Sequence, residues 1–172
     1  MTQTKAPLEI HLAGPEHLPE IARLARRIWY QCYPGIIPTE QIEYMLARMY
    51  ATEALARDLA AGVSYYRLRK GPDRTPIGFA ACGPGETDDA AWLHKLYVLA
   101  EHHGFGAGRA LIQRACADAR RAGHPAIRLR VNRGNTRAIR AYERCGFTVL
   151  ETRCTDIGGG FVMDDYVMQR GL

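Results

Sequence analysis

A glycine-rich segment, His103–Gly108, carries the clearest chemical signal in the sequence. It has three glycines within five residues and joins an apolar run, Leu96–Leu99, to an amphipathic run that begins at Arg109. This order predicts a strand, a tight turn and the start of a helix. Because glycine leaves the backbone N–H groups uncovered, several of them can converge on one anion at the positive end of that helix. The ligand that this pattern predicts is a phosphate or a pyrophosphate.

Two common nucleotide-binding loops do not fit the same segment. A GxGxxG fingerprint needs its third glycine at position 109 or 111, which are Arg109 and Leu111 here. It also needs an acidic residue near the end of the next strand, and the strand-like run Ile127–Asn132 contains none. A P-loop needs a Gly-Lys dipeptide, which occurs nowhere in the chain. A different kind of pyrophosphate-binding turn is therefore indicated.

A second stretch, residues 135–147, has the pattern of a short capped helix. Asn135 can cap its first turn, and Gly146 suits its C-terminal end. Ala138 and Tyr142 are four residues apart, which places them on one face of the helix. Two such patterns in this order along one chain rarely coincide by chance.

Together the two stretches resemble the GNAT family of N-acetyltransferases. The hallmark of that family is an Arg/Gln-x-x-Gly-x-Gly/Ala turn that grips the pyrophosphate of acetyl-coenzyme A (acetyl-CoA). Here the turn reads His103-x-x-Gly106-x-Gly108, so that His103 replaces the usual Arg or Gln. The pattern of residues 135–147 is also similar to that family, and the resemblance covers residues 8–170.

The resemblance implies a fold, a cosubstrate and a reaction. We expect a single mixed α/β domain over residues 1–172, with its core at about 8–170, in which helices flank a twisted mixed central sheet. The cofactor would enter where two parallel strands diverge. Acetyl-CoA is the expected cosubstrate, with no metal, and its acetyl group would pass to an amine by direct attack in a ternary complex. A non-catalytic acetyl-CoA sensor on the same fold is the alternative.

The resemblance also implies roles for individual residues. Tyr142 matches a tyrosine that acts as a general acid near the sulfur, and a phenol with a pKa near ~10 can donate a proton at pH 7. The alternative is that Tyr142 only packs against the cofactor. Asn135 would reach the pantetheine arm or merely cap its helix, and Arg144 would meet a phosphate or lie at the surface. Backbone N–H groups around Val98 would polarise the thioester carbonyl. The expected cofactor-binding residues are Leu96, Tyr97, Val98, His103, Gly104, Phe105, Gly106, Ala107, Gly108, Arg109, Asn135 and Arg144.

The general base is ambiguous in the sequence. A protonated amine has no lone pair, so a base must take its proton before it can attack a thioester. His94 lies on the strand that enters the expected site, and its reference pKa near ~6.5 suits the task, although a strand histidine can be purely structural. Glu86, Asp88 and Asp89 precede that strand and could activate a water molecule instead. The expected catalytic residues are Tyr142 and His94, with these acids as alternatives.

Three further segments bear on the acceptor. Trp29–Pro38, the predicted helix with Tyr44 and Met45, and residues 156–166 look like those of the PaiA-type polyamine acetyltransferases within the family. Aromatic residues beside acids suit a cationic amine through cation–π contacts and charge pairing. The alternative is that the aromatic residues of the first segment belong to the core and that Asp164 and Asp165 are turn or structural residues. The acceptor would be a small amine such as a polyamine, or an amine of a peptide or protein.

Composition sets the wider limits. The chain has 172 residues, 47% of them hydrophobic, and a net charge of +5, which suits one compact domain. Its arginines are spread along the chain, and nothing resembles a nucleic-acid-binding motif. No apolar run approaches the ~20 residues of a membrane span, and the N-terminus lacks the apolar core of a signal peptide. We therefore expect a cytoplasmic protein with no nucleic-acid or membrane partner, whose partners are acetyl-CoA and an amine, and a homodimer is common among its relatives.

Periodicity gives the coarse element order. Helices are predicted over residues 15–31, from Thr39, from Thr52 to about 62, from the glycine turn to about 121, and over 135–144. Thr39 and Thr52 are the expected N-caps of the second and third helices. Strands are predicted over 8–12, 63–69, 77–82, 91–99, 126–131, 147–155 and 161–169, with a hairpin turn at Gly71–Asp73. The five cysteines form no Cys-x-x-Cys pair, which favours reduced thiols.

Overall fold

Seven β-strands and five α-helices make up the described part of the chain, residues 7–72, 75–87 and 89–172 of a computed structural model. The strands are β1 (Leu8–Leu12), β2 (Ser64–Lys70), β3 (Gly78–Gly83), β4 (Ala91–Val98), β5 (Ala126–Asn132), β6 (Thr148–Gly158) and β7 (Phe161–Gly171). The helices are α1 (Leu18–Cys32), α2 (Thr39–Met49), α3 (Thr52–Ala60), α4 (Ala107–Arg121) and α5 (Thr136–Arg144). Single 3₁₀ turns at Pro15–His17 and Ala100–His102 precede α1 and the glycine segment.

The strands form one mixed sheet in the order β1-β2-β3-β4-β5-β7-β6. All neighbours are antiparallel except β4 and β5, which are parallel. The parallel pairing covers only Ala91–Leu93 with Ile127–Leu129, although both strands continue beyond these residues. The predicted mixed sheet is therefore confirmed, and its two central strands separate beyond Leu93.

A β-bulge interrupts β4 where the separation begins. Ala81 of β3 is opposite Lys95 and Cys82 is opposite Leu93, so His94 has no opposite residue in β3. An extra residue resets the alternation of side chains along a strand. As a result, Leu93 and Leu96 contact the same core although they are three residues apart.

Two hydrophobic cores cover the two faces of the sheet. One is formed with α4 and α5 and includes Leu111, Ile112 and Tyr142. The other is formed with α1, α2 and α3 and includes Trp29 and Phe79, which are at most 1% exposed. Burying each such side chain contributes roughly 1.5–3 kcal/mol to folding. The sheet is thereby held from both sides while β4 and β5 lie apart.

The expected caps of α2 and α3 were wrong by one residue. Thr39 and Thr52 are the first helical residues, and neither helix has a side-chain cap hydrogen bond. Pro38 and Ala51 have extended backbones, and besides the ordinary first helical hydrogen bonds their carbonyls accept from Gln41 and Ala54, the N–H groups that a side-chain cap would take. The backbone of the preceding residue therefore makes each cap.

Other expectations hold at residue level. β1 has the predicted bounds, and the hairpin between β2 and β3 is present, although Asp73 of its predicted turn lies outside the described residues. The predicted first helix is divided into the 3₁₀ turn at Pro15–His17 and α1. All five cysteines are free thiols. In the described ranges, no helix combines the length and the apolar character that a membrane crossing requires.

Candidate active site

A cleft of about 1180 Å³ opens where β4 and β5 separate. On one side of it, which we call the turn side, lie residues 103–109 and α5. On the other, which we call the sheet side, lie Asp58, His94, Lys95, Tyr97 and Asp165. The predicted residues that line the cleft are His94, Leu96, Tyr97, Val98, His103, Gly104, Gly106, Ala107, Gly108, Arg109, Asn135, Tyr142 and Arg144.

Phe105 is the predicted cofactor residue whose side chain is placed elsewhere. Its ring is 45% exposed, and the Lys70 ammonium lies 4.5 Å from the ring centroid. The turn alternates, so that Gly104 and Gly106 line the cleft while Phe105 is directed to the surface. Any contact of Phe105 with a ligand in the cleft would come from its backbone.

The glycine turn leaves open space in front of α4. Gly104 and Gly106 have φ angles of 81° and 83°, a left-handed conformation that favours glycine. A Cβ atom at either position would meet no atom of the described residues within 4 Å. Gly106 is the N-cap residue of α4 and supplies no side-chain acceptor, so the first N–H groups of the helix stay available. These groups and the positive end of the helix suit an anion such as a pyrophosphate.

Exposed arginines add positive charge to the turn side. Arg109 and Arg144, both predicted, line the cleft together with Arg137. None of the ion pairs between described residues involves these three side chains. Sequence reasoning missed Arg137, whose signal was its position two residues after Asn135, in the first turn of α5. The turn side therefore presents uncompensated cations to an anionic ligand.

His103 is turned toward the end of β4. Its Nε2 lies 2.7 Å from the carbonyl oxygen of Val98. Because a carbonyl only accepts, Nε2 carries the hydrogen and donates it. Burial lowers the pKa of His103, and the hydrogen bond to Val98 only partly opposes this. The imidazole is thus neutral at pH 7 and ties the glycine turn to β4.

Tyr142 is buried within α5 and lines the cleft. Its ring packs edge-on against Phe147, with 5.8 Å between the ring centroids. Burial raises the pKa of Tyr142 well above its usual value, with smaller contributions from Tyr97 and Cys32. The hydroxyl therefore keeps its proton at neutral pH and can act as a donor.

Asn135 caps α5, which confirms the structural alternative. Its Oδ1 accepts a hydrogen bond from the Ala138 N–H at 3.2 Å, and its Nδ2 donates to the Cys32 Sγ at 3.6 Å. The side chain thereby joins α5 to the end of α1 across the cleft. Its contact with a pantetheine arm stays a prediction.

His94 lies in the bulge of β4 with one nitrogen free for chemistry. Its Nε2–H donates to the Pro84 carbonyl oxygen at 2.7 Å, which leaves the Nδ1 lone pair available. Although the side chain is solvent-exposed in the cleft, surrounding protein atoms lower the pKa of His94 by desolvation, against the opposing effect of Pro84. The neutral imidazole can accept a proton at pH 7.

The acidic alternatives to His94 are engaged by arginines. Glu86 forms ion pairs with Arg130 and Arg153, and Asp89 pairs with Arg128 at 2.7 Å. Asp88 lies outside the described residues. A carboxylate held by a guanidinium is a weaker proton acceptor than a free one. His94 is therefore better placed than Glu86 or Asp89 to act as a base.

An ion pair that the sequence did not reveal lies beside His94. Lys95 is 7% exposed, and its Nζ donates to an Asp58 oxygen at 2.7 Å. The hydroxyl of Tyr65 donates to the same carboxylate. These residues come from β4, α3 and β2, so no local pattern could have paired them.

The predicted acceptor segments divide between core and cleft. Trp29 and Tyr33 pack together at 4.4 Å between ring centroids, and Tyr33 exchanges a 3.0 Å hydrogen bond with Tyr97. Both residues belong to the core and also line the cleft. Tyr30, by contrast, lies at the surface under the Arg26 guanidinium.

The two neighbouring acids of β7 lie in different environments. Asp164 lies at the surface and pairs with Arg133 at 3.3 Å. Asp165 is 2% exposed and lines the cleft. One cleft thus holds a glycine turn that is open to an anion, a protonated tyrosine and a neutral imidazole, an arrangement that suits acyl transfer from a phosphate-bearing donor.

Comparison with known proteins agrees with this class. The sequence model described as "Acetyltransferase (GNAT) family" matches residues 21–147. Uncharacterized N-acetyltransferases of Mycobacterium bovis and Mycobacterium tuberculosis are each 31% identical over 154 residues, which cover 89% of this chain and 96% of the relative. The chain belongs to the GNAT family and is an acetyl-CoA-dependent N-acetyltransferase.

Solved structures are similar over almost the whole chain. The PaiA N-acetyltransferase of Thermoplasma acidophilum, in complex with coenzyme A, has a TM-score of 0.80 and 25% identity, covering 96% of this chain and 99% of its own. A putative acetyltransferase of Salmonella typhimurium with acetyl-CoA has a TM-score of 0.66 and 21% identity, covering 96% and 94%. The second likeness concerns the fold alone.

Proposed function

We propose that this protein transfers the acetyl group of acetyl-CoA to a primary amine by direct attack within a ternary complex. The observation that carries this proposal is the single cleft that joins the glycine turn to Tyr142 and His94. The pyrophosphate of acetyl-CoA would bind the N-terminus of α4, with Arg109, Arg137 and Arg144 nearby. Cosubstrate and amine would thus meet in the gap between β4 and β5.

Two side chains would handle the protons. An alkylamine is protonated at pH 7, so His94 would take its proton at Nδ1 and leave the lone pair on nitrogen. The amine nitrogen then attacks the thioester carbonyl. As the carbon–sulfur bond breaks, the Tyr142 hydroxyl would donate its proton to the departing thiolate, and the second proton of the attacking nitrogen would pass through water to restore that hydroxyl. The lowered pKa of His94 and the raised pKa of Tyr142 put both groups in the required protonation state.

Backbone groups of β4 would polarise the carbonyl. Beyond Leu93, no strand of the described chain pairs with the edge of β4 that faces away from β3, because β5 has separated. N–H groups of Leu96 or Val98 on that edge are fixed by the sheet before any ligand binds. Fixed donors of this kind stabilise a developing oxyanion more effectively than mobile ones.

The acceptor would be a cationic amine. Support comes from the aromatic and acidic side chains of the sheet side and from the likeness to the PaiA enzyme. A small polyamine fits both, and an amine of a peptide is the other class to test.

A thiol-release assay tests the proposed function. Purified protein is given acetyl-CoA and a panel of alkyl monoamines, diamines, polyamines and peptides with free N-termini. We expect release of coenzyme A thiol with at least one amine, and a mass spectrum of the matching acetylated product. Tight acetyl-CoA binding without acetylation of any amine would instead identify a sensor on the same fold.

A further inference from the structure

Asp165 is a buried carboxyl that the protein itself does not fully satisfy. It is 2% exposed, lines the cleft, and its Oδ2 has no hydrogen-bond partner among the described residues. A buried carboxylate without a partner is costly, because desolvation of the charge is not compensated. Desolvation accordingly raises the pKa of Asp165 to about 6. Packing alone gives no reason for an acid at this position.

The register of the sheet places Asp165 level with Tyr97, which lines the cleft where the reaction is proposed. Asp165 of β7 pairs with Asn132 of β5. In the parallel register, Leu93 pairs with Leu129. When the bulge residue His94 is skipped, each later residue of β4 is matched with the next residue of β5, and Tyr97 is then level with Asn132.

Electrostatic contacts support the same placement. Burial raises the pKa of Tyr97 to about 12, and the charge of Asp165 contributes to that rise. Tyr97 in turn contributes to the raised pKa of Tyr142. Asp165, Tyr97 and Tyr142 therefore form one neighbourhood across the gap between the strands.

Neighbouring charges are already paired with other groups. On β4, Lys95 is held by Asp58, and on β5, Arg130 is held by Glu86. On β6, Arg153 pairs with Glu86 and Glu151, and on β7 itself, Asp164 pairs with Arg133. From α1, Cys32 faces the same Tyr97 with a pKa raised by burial.

Arg130 attracts Asp165 electrostatically, yet the two form no ion pair. Of the carboxylates that line the described part of the cleft, Asp58 and Glu86 are held in ion pairs and Asp165 is not. It is therefore the carboxylate that is available to a cationic ligand.

We propose that Asp165 binds the ammonium group of the acceptor amine and so selects primary alkylammonium acceptors. This inference rests on the proposed function, because it assigns the acceptor subsite of the same cleft. Asp165 stays ionised, and the ammonium N–H bond breaks toward Nδ1 of His94 while the electron pair stays on nitrogen. Since Asp165 is almost inaccessible to solvent, the group that reaches it is slender, as the end of an unbranched alkyl chain is.

Kinetics of Asp165→Asn test the assignment against Asp164→Asn as the matched control. With saturating acetyl-CoA and an unbranched alkylamine, we expect KM to rise by about 30-fold or more in Asp165→Asn, as when a buried charge partner is lost. The value of kcat should change less than about threefold, since the proton still passes to His94. Asp165→Glu should recover part of the loss, and Asp164→Asn should behave as the wild type does. Asp165→Ser serves as a second variant that removes the charge if the asparagine variant does not fold.

A binding measurement separates this inference from the proposed function. Calorimetry would follow the same alkylamine titrated into wild-type protein and Asp165→Asn, each loaded with coenzyme A. Binding that depends on Asp165 without turnover of any amine supports the subsite and refutes the proposed function. Turnover with an unchanged KM in both charge-removing variants overturns the subsite and leaves the function standing. A fall in kcat at constant KM overturns it as well, since Asp165 would then act on the proton, and so does a wild-type protein that neither binds nor acetylates alkylamines.

Discussion

The turn side of the cleft is built from two short continuous segments, whereas the sheet side is assembled from side chains on α3, β4 and β7. Residues 103–109 and 135–144 present backbone N–H groups and exposed arginines to open space. Asp58, Lys95 and Asp165 are brought together from positions far apart in the chain. Under the proposed function, the comparison teaches that recognition of the cofactor would be local and use the backbone, while recognition of the acceptor would depend on the completed fold.

Substitution of Tyr142 should lower turnover strongly while leaving the affinity for acetyl-CoA almost unchanged. In Tyr142→Phe we expect turnover to fall by roughly 10²–10⁴, the usual contribution of a general acid, because the departing thiolate loses its proton donor. The dissociation constant of acetyl-CoA should hardly change, since the ring and its contact with Phe147 are kept. Steady-state kinetics and calorimetry measure the two quantities on one preparation.

Tyr66→Phe is the matched control for that change. The Tyr66 hydroxyl donates to Asp118 at 2.7 Å, and the residue does not line the cleft. Its loss should lower stability by about 1 kcal/mol without affecting turnover. If Tyr142→Phe retained near-normal turnover on a good amine, Tyr142 would not be the general acid and would only pack against the cofactor.

A substitution on the turn side should weaken the binding of acetyl-CoA rather than slow the chemical step. Gly106→Asp places a carboxylate in the open space in front of α4, where the pyrophosphate would bind. Repulsion between charges about 5 Å apart at an effective dielectric constant near ~20 amounts to roughly 3 kcal/mol. We therefore expect acetyl-CoA affinity to fall by about 10²-fold, measured by calorimetry.

Gly123→Asp separates charge from backbone strain. Gly123 has a φ angle of 86° and a free Cβ position, as Gly106 has, but it follows α4 at the far end from the cleft. Both variants carry the strain of a left-handed backbone, Gly123→Asp should lose more stability because its carboxylate lies at the negative end of α4, and only Gly106→Asp should lose affinity. Equal affinity in the two proteins would remove the phosphate site from the turn.

The features that the sequence could predict lie within continuous segments, and those it could not predict depend on contacts between distant segments. Glycine spacing, the Asn135 cap and the bounds of β1 are local features, and each is found where the pattern put it. The bulge at His94 depends on how β3 aligns with β4, and the Lys95–Asp58 pair depends on how α3 packs beside the sheet. Such features have no local signature. The caps of α2 and α3 were missed because backbone carbonyls of Pro38 and Ala51 fill a role that sequence reasoning assigns to side chains.

On the sheet side, His94→Gln tests the base. Removing Nδ1 as a proton acceptor should lower kcat/KM at pH 7 by about 10²-fold, the lower end for general base catalysis, because water can reach this exposed position and take over part of the task. In wild-type protein, kcat/KM should fall as the pH drops below the lowered pKa of His94, since the protonated ring cannot accept a proton.

His11→Gln is the control for that substitution, because His11 is exposed on the edge strand β1. It should leave both the rate and its pH profile unchanged. If His94→Gln kept the wild-type rate and acidic limb, the base would have to be sought elsewhere in the cleft.

The smallest effect concerns His103, where the structure changes the expectation from sequence. A reference pKa near ~6.5 predicts that acetyl-CoA affinity falls between about pH 6 and 8 as the imidazole loses its charge. Burial lowers the pKa of His103, however, so the ring is already neutral above pH 6.5. We therefore expect His103 to cause no change in affinity between pH 7 and 8.

Below pH 6.5, protonation adds a positive charge beside the turn, and affinity should rise by at most about threefold because solvent screens a partly exposed charge. His103→Gln keeps a side-chain donor for Val98 but cannot titrate, so the difference between its profile and that of the wild type isolates the imidazole from the titration of acetyl-CoA itself. A difference that develops between pH 7 and 8 would mean that His103 carries charge at neutral pH and faces the phosphate rather than the strand.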